Sequence, residues 1–478
     1  MGLKKIFKSS HRAFDSSFVN GRTQRDLPKA PSFWKLLGPS FIFLGLSLGS
    51  GELIMWPYLT ANYGLGIIWG AFLGITFQFF MNMEIVRYTL IYGESVFVGF
   101  KRLWSGWPVW FIISTFIAWG LPGFSAAGAQ ILSRMFGWKS ETFTAVVLLL
   151  LTGLILSLGK TLYRTMEVFQ KTIILLGVPF VVLLALWLTH GADWRAAMAG
   201  ILGRGENYWF LPAGISLMSF LGAFAYAGAG GNLNLAQSYY VKEKGYGMGH
   251  FAAKIKSLLA KEKEKVNIEG VTFPLNTKNL TEFNRWWRAV NLEHLSIFWF
   301  LGFFTIILMA VLAFALIGSG SGYEGISFLF AEFQVISQRT FNFMGWGFLW
   351  VVFSMLFATQ TGVLESTSRI ISENVFLLFK DRKKQLNLSQ GFYLALWGQI
   401  AFGVSFLLLG FSEPLFLLTL AAVINAVCMF VHLGLTYYLN LRTLPQSLRP
   451  AFYRRVVLFA AFVFFGIFSF LTFWQGIK

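Results

Sequence analysis

The sequence predicts an all-α polytopic membrane protein, and three observations carry that prediction. The chain of 478 residues is 56% hydrophobic, with a mean hydropathy of +0.62. Only 13% of it is charged, about half the share usual in soluble domains. Apolar runs of about 20 residues or more recur from Phe33 to Gln475, each long enough to cross a hydrocarbon core about 30 Å thick.

Eleven spans are expected, near 34–62, 65–92, 107–133, 141–159, 166–190, 212–240, 287–317, 340–372, 391–410, 414–439 and 452–475. Before them runs a basic polar tail, 1–33, with Lys4, Lys5, Lys8, Arg12, Arg22, Arg25 and Lys29. It lacks the apolar stretch of a cleaved signal. A cytoplasmic N-terminus places Lys101-Arg102, Lys160, Arg164, the long 241–286 loop, Lys380 to Lys384 and Arg442 to Arg455 on one side. That positive-inside pattern puts the C-terminus outside and suits a plasma (inner) membrane protein. Within the long loop, 250–265 sets Phe251, Ile255 and Leu258 on one helical face among lysines. It reads either as a helix lying on the inner membrane surface or as a solvated linker. The sequon Asn279-Leu280-Thr281 would go unused on that side.

The net charge of +18 sits mostly in connecting segments, so it reports orientation rather than nucleic-acid binding. A single cysteine, Cys428, excludes an internal disulfide and a cysteine-cluster metal site. The five histidines are scattered, without H-E-x-x-H. No nucleophile–base pair stands within a span, which argues against an intramembrane enzyme. No cofactor is expected.

Two spans are interrupted. Gly49-Ser50-Gly51-Glu52 separates Leu44–Leu48 from Leu53–Trp56, and Ala229-Gly230-Gly231-Asn232 separates Phe224–Tyr226 from Leu233–Leu235. Glycine is a poor helix former, and a carboxylate in a bilayer is costly. Paired interruptions in two halves of a chain mark the substrate site of transporters. The breaks lie 180 residues and five spans apart; Gly51 then matches Gly231, Leu53 matches Leu233 and Glu52 faces Asn232. An odd number of spans makes the second repeat inverted relative to the first. The first repeat is expected over about 34–190 and the second over about 212–440, with 452–475 as an extra helix.

The freed backbone groups must line a cavity or be buried. Carbonyls that end a half-helix, such as that of Leu46, bind cations, and the N–H groups that start the next one bind anions. Glu52 reads as the charge that holds a cation, or as a cap on its own half-helix worth about 0.3–1 kcal/mol. In either role it disfavours an anionic substrate. Asn232 and Asn234 offer amide oxygens as ligands or caps, and Asn425, midway in the tenth span, reads as polar glue between helices. Glu84 with Arg87, Glu167 with Lys171 and Glu365 with Arg369 stand three or four residues apart and read as local pairs.

At these residues the chain resembles the Nramp-type divalent metal-ion transporters of the APC superfamily. The resemblance covers about Leu37 to Leu441 and includes Leu37-Gly38-Pro39 and Pro57-x-x-x-Ala61-x-Tyr63-Gly64. It implies a LeuT/APC-type fold of two inverted five-helix repeats plus one extra helix, with helices 1 and 6 broken. The family motif Asp-Pro-Gly-Asn matches Gly49-Ser50-Gly51-Glu52, and Met-Pro-His-Asn matches Ala229-Gly230-Gly231-Asn232.

The departures shape what the resemblance implies. The metal-binding Asp becomes Gly49, the Asn becomes Glu52, the thioether becomes Ala229 and the His becomes Gly231. A tenth-span Gln becomes Ala422. Asn232 and the carbonyl positions of Leu46 and Tyr226 carry over. Without the sulfur ligand, a hard ion such as Mg²⁺ or Mn²⁺ is expected ahead of softer metals. Neither Trp107–Ser133 nor Leu211–Tyr240 holds an Asp, Glu or His, so the usual proton route is expected to be absent. A competing resemblance reads Gly49-Ser50-Gly51 as the Gly-Ser-Gly of APC amino-acid transporters, with Glu52 as counter-ion to an amine. The expected partners are thus a divalent cation and the lipid bilayer.

Overall fold

The computed structural model describes residues 22–49, 51–158, 162–252, 268–320, 322–379 and 388–477. Ser50 and the greater part of the amphipathic 250–265 stretch lie outside the described residues. Among the described residues, ten helical segments are long and apolar enough to cross a membrane: Pro39–Tyr63, Leu65–Tyr92, Trp107–Phe136, Glu141–Leu158, Met166–Leu188, Thr277–Ile317, Asn342–Phe379, Leu388–Leu408, Pro414–Thr443 and Phe452–Trp474. A split crossing completes the set as the sixth span. Its halves are Leu217–Ala225 and Leu233–Lys244.

Span one is the axis of the molecule. Its apolar stretch is 94% buried, against 28% for span eleven, which lies at the rim. Its first half-helix, Pro39–Ser47, ends with the Leu48 N–H on the Leu44 carbonyl. The chain resumes as a π turn, Gly51–Met55, and then as the α-helix Trp56–Tyr63, with a proline in its first turn. Such π turns locally widen a helix and gather at functional sites.

Three elements differ from the sequence expectation. Span three is not continuous. Gly120-Leu121-Pro122 divides Trp107–Trp119 from Gly123–Phe136, and Pro122 has no N–H to carry the helix across. Span seven begins at Thr277 rather than near 287, because the Asn276 side chain caps it by accepting from the Asn279 N–H. Span eight continues to Phe379.

Small residues let spans approach closely. A Cβ at Gly74 would stand 2.7 Å from the Phe224 carbonyl, so span two packs backbone-close on span six. Span eleven covers this contact with rings, Phe464 stacking on Phe224 at 4.1 Å.

Each expected local ion pair forms, and each gains a partner from another part of the chain. Arg87 pairs with Glu84 at 2.7 Å, and Arg454 of span eleven reaches the same carboxylate at 3.2 Å. Glu167 holds Lys171 at 2.7 Å and Lys244 at 2.9 Å. Arg369 bridges Glu365 and Glu243. These clusters lie toward the face that carries residues 22–31, called here the N-terminal face. That segment crosses the face, bonding Thr272, Asn279, Glu282 and Trp286, with Arg22 on Glu94 at 2.7 Å.

The buried carboxylate of Glu84 serves two guanidinium groups and the Asn440 amide. Glu84→Ala leaves both cations buried without a counter-charge, a loss of about 3–5 kcal/mol. We expect a clear fall in the melting midpoint of the purified protein. An unchanged midpoint would show that the cluster does not hold spans two and eleven.

Candidate functional site

The two breaks meet at the centre of the bundle. A Cβ on Gly51 would overlap the Tyr226 carbonyl oxygen, and one on Gly231 would overlap the Asn425 side-chain oxygen. A Cβ on Gly49 would lie 2.5 Å from the Thr359 side chain. Gly51 and Gly49 are therefore required by close approach. Gly230 and Gly231 have φ of +74° and +50°, the left-handed region that turns the chain between the sixth-span halves.

The backbone groups freed by these breaks find side-chain partners. Gln78 of span two uses both ends of its amide. Its Nε2 donates to the Ala225 carbonyl at 2.9 Å, and its Oε1 accepts from the Gly230 N–H at 3.0 Å. Thr359 donates to the Gly45 carbonyl at 2.8 Å. The Gly231 carbonyl faces Nε2 of His432 at 2.9 Å and accepts from Asn234 at 3.3 Å. Sequence reasoning passed over Gln78 and Thr359 and took His432 only as one of five scattered histidines. Their signal was a polar side chain inside an apolar span, as Gln78 is within Ile75–Phe80.

Asn232 donates to Ser114 Oγ at 2.8 Å and Thr115 Oγ1 at 3.0 Å, just ahead of the break in span three. Tyr226 stacks on Trp119 with ring centroids 5.3 Å apart, and its hydroxyl accepts from Asn425 at 3.1 Å. The structure thus brings together Gly51, Tyr226, Gly230, Gly231, Asn232, Asn234 and Asn425. Ala229 is buried in the same turn, and Leu46, in the last turn of the first half-helix, packs its side chain toward Gly362 of span eight.

Glu52 is placed differently. It is wholly buried, and its Oε1 lies 3.1 Å from the Ser47 hydroxyl. That hydroxyl is also 2.8 Å from the Leu44 carbonyl, so its single proton is shared. Oε2 has no partner. The residue borders a cavity of about 10 Å³, close to the least space that holds one water. Its walls include Leu48, Thr305, Met309 and Met355. Glu52 therefore turns toward spans five, seven and eight, while Gly51 beside it faces span six.

The site carries a surplus of acceptors. The side-chain oxygens Asn232 Oδ1, Asn234 Oδ1 and Asn425 Oδ1 join Glu52 Oε2 as buried atoms without a hydrogen-bond partner, and so does His432 Nδ1. Buried polar atoms are ordinarily paired, and leaving one unpaired is expensive. A cation or water supplies what such atoms lack. Among the described residues no three His, Cys, Asp or Glu side chains converge, so the acceptors are amide and carbonyl oxygens with a single carboxylate.

No protein-family model matches the sequence, and no curated protein matches it. Solved structures do match. A manganese transporter from Eremococcus coleocola, in a mutant form, superposes with a TM-score of 0.66 at 12% identity, over 95% of this chain and 90% of that one. A second mutant form gives 0.65 at 12% identity over the same shares. The complex of that transporter with an aromatic bis-isothiourea substituted compound gives 0.59 at 14% identity, again over 95% and 90%. The chain has the fold of that transporter: the LeuT/APC-type architecture of two inverted repeats, with broken first and sixth spans.

Proposed function

We propose that the protein carries a divalent cation across the membrane by alternating access, with Mg²⁺ or Mn²⁺ ahead of softer metals, and that it is a divergent Nramp-related transporter. The observation that carries this reading is the acceptor surplus where the two breaks touch. Oxygen atoms without donors in a water-poor interior complement a cation. The close contact of Gly51 with the Tyr226 carbonyl suits a small ion better than an organic solute in this conformation. A fold shared with a manganese transporter agrees with it.

In this reading Asn232 and the carbonyls of Leu46 and Tyr226 supply neutral oxygens, and Glu52 supplies charge. Gly49, Ser50, Gly230 and Gly231 shape the path, and Asn234 and Asn425 stand as secondary ligands. Glu52 reaches the ion after release from Ser47, whose shared proton holds it weakly. The absence of Asp, Glu and His from Trp107–Ser133 and Leu211–Tyr240 supports metal flux without stoichiometric proton flow. The positive-inside pattern supports a plasma (inner) membrane with a cytoplasmic N-terminus.

One observation favours a second reading. The Ser47 contact folds Glu52 back along its own span, which leaves the glycine turn to meet a carboxylate substrate, with Glu52 answering an amine. Flux into liposomes, compared for Mg²⁺, Mn²⁺, Ca²⁺ and a panel of amino acids, separates the two. Cation flux alone is the expected result, and amino-acid flux alone would overturn the cation reading.

Glu52→Gln removes the one carboxylate at either break while keeping its shape. We expect cation flux to fall at least ~10-fold, equivalent to about 1.4 kcal/mol, with the melting midpoint preserved. Wild-type flux in the folded variant would remove Glu52 from the path.

Ala229→Met restores a thioether at the position where the resembled family has one. Sulfur favours soft ions, and a larger side chain hinders an ion that keeps its water, as Mg²⁺ does. The Cd²⁺ to Mg²⁺ preference, read by competition against Mn²⁺ flux, should rise about tenfold. An unchanged preference would place Ala229 away from the ion.

A further inference from the structure

A basic cavity opens on the N-terminal face, where the 22–31 segment crosses the start of span seven. Its volume is about 320 Å³, within the range of sites that take small molecules or head groups. Lys29 comes from the crossing segment, and Thr277, Lys278, Thr281 and Arg285 come from the first turns of span seven. Backbone bonds hold the two walls together. The Leu27 N–H donates to Asn279 Oδ1 at 3.1 Å, and the Ala30 N–H donates to Glu282 Oε1 at 2.6 Å. The Pro28 carbonyl accepts from the Trp286 indole at 2.7 Å. None of these bonds uses a basic side chain of the cavity.

The cations here outnumber the acids beside them. Lys278 pairs with Asp26 at 2.6 Å, and Arg285 pairs with Glu282 at 3.2 Å. Lys29 is exposed and has no such partner among the described residues. The same holds for Arg288, one turn beyond Arg285 on the same face of the helix. Two positive charges therefore remain in excess. The start of span seven adds first-turn N–H groups and the positive end of its dipole. Such a set of donors complements a phosphate.

The depth of the cavity follows from its neighbours. Along the exposed face of span seven, Arg285 and Arg288 give way to Leu292 and Leu295, which are 53% and 40% exposed. Beside it, the short helix Phe33–Leu36 presents Trp34, 78% exposed, a residue type that favours the membrane–water interface. Tyr246 sets both helices at one depth. Its hydroxyl donates to the Leu36 carbonyl, and its ring lies 5.5 Å from that of Trp286. The cavity thus opens at the level of lipid head groups, and an apolar strip leads from it into the hydrocarbon. A soluble anion would use the cavity alone. A phospholipid uses both, with its phosphate in the cavity and its chains along Leu292 and Leu295.

We propose that this cavity binds the head group of an anionic phospholipid from the leaflet on the N-terminal face, and that the bound lipid joins the 22–31 segment to span seven. Lys29 supplies the charge of the segment and Arg288 that of the helix. Lys278 and Arg285 keep their acids and add N–H donors to the phosphate. A choline head group brings its own cation among these charges and is disfavoured. Because the segment leads directly into span one, the lipid also steadies the entry to that span. The site stands apart from both breaks and holds whatever the transported solute is.

The test counts bound lipid on the full-length protein. Native mass spectrometry follows a titration of purified, lipid-stripped protein with phosphatidylglycerol or with phosphatidylcholine of the same chains. Wild type should take up a first phosphatidylglycerol about tenfold more tightly than phosphatidylcholine. The double variant Lys29→Gln with Arg288→Gln removes the two unpaired cations and no ion pair. It should weaken phosphatidylglycerol binding about tenfold and leave phosphatidylcholine binding unchanged. Lys29→Gln alone, with a loss of about threefold, serves if the double variant does not fold. Equal binding of the two lipids by wild type, or wild-type phosphatidylglycerol affinity in a folded variant, would overturn the site. Inorganic phosphate is added as a competitor in a parallel titration. Phosphatidylglycerol should stay bound in its presence, and displacement at equal concentration would overturn the lipid assignment in favour of a soluble phosphate.

Discussion

A helix interrupted inside a bilayer must satisfy the backbone groups it frees, because lipid offers them nothing. Much of the architecture at the centre of this protein follows from that requirement. Gln78 spends both ends of one amide on the sixth-span break, which fixes span two against span six. Thr359 does the same service for the Gly45 carbonyl and positions span eight. His432 faces the Gly231 carbonyl and places span ten. Asn232, starting the second half of span six, reaches span three just ahead of that span's own interruption at Gly120–Pro122. Glycines are needed where backbones touch, as at Gly51 against Tyr226.

The same side chains leave a residue of unmet demand. Three amides around the breaks, Asn232, Asn234 and Asn425, donate hydrogen bonds and leave their own oxygens without a partner. Glu52 adds a carboxylate oxygen in the same condition. Oxygen acceptors thus predominate among the unpaired side-chain atoms around the breaks, with one carboxyl group among them. Met309 and Met355 wall the small space beside Glu52. In the proposed reading, selectivity between hard and soft ions would depend on how far Glu52 turns from that space toward span six.

The spans, their order and the two main breaks were legible because hydropathy and misplaced glycines are local signals. The ion pairs Glu84–Arg87, Glu167–Lys171 and Glu365–Arg369 were legible because helical spacing alone brings them together. Their further partners, Arg454, Lys244 and Glu243, come from other parts of the chain, and no spacing rule reaches them. Gln78 and Thr359 were overlooked for the same reason: each is a single polar residue whose role depends on a backbone group far away in sequence. The direction of Glu52 was also hidden. A motif places it beside Gly51, yet the next position of the π turn points it away, toward Ser47 and spans five, seven and eight.

The central claim is that a divalent cation sits where the two breaks meet. The most direct measurement is anomalous scattering from crystals of the protein soaked in Mn²⁺. The account predicts one strong peak at the crossing of the two breaks, with Asn232 Oδ1 and the Tyr226 carbonyl at metal-bonding distance and the Glu52 carboxylate turned toward it. No peak at the crossing of the two breaks, with Mn²⁺ found elsewhere or not at all, would contradict it.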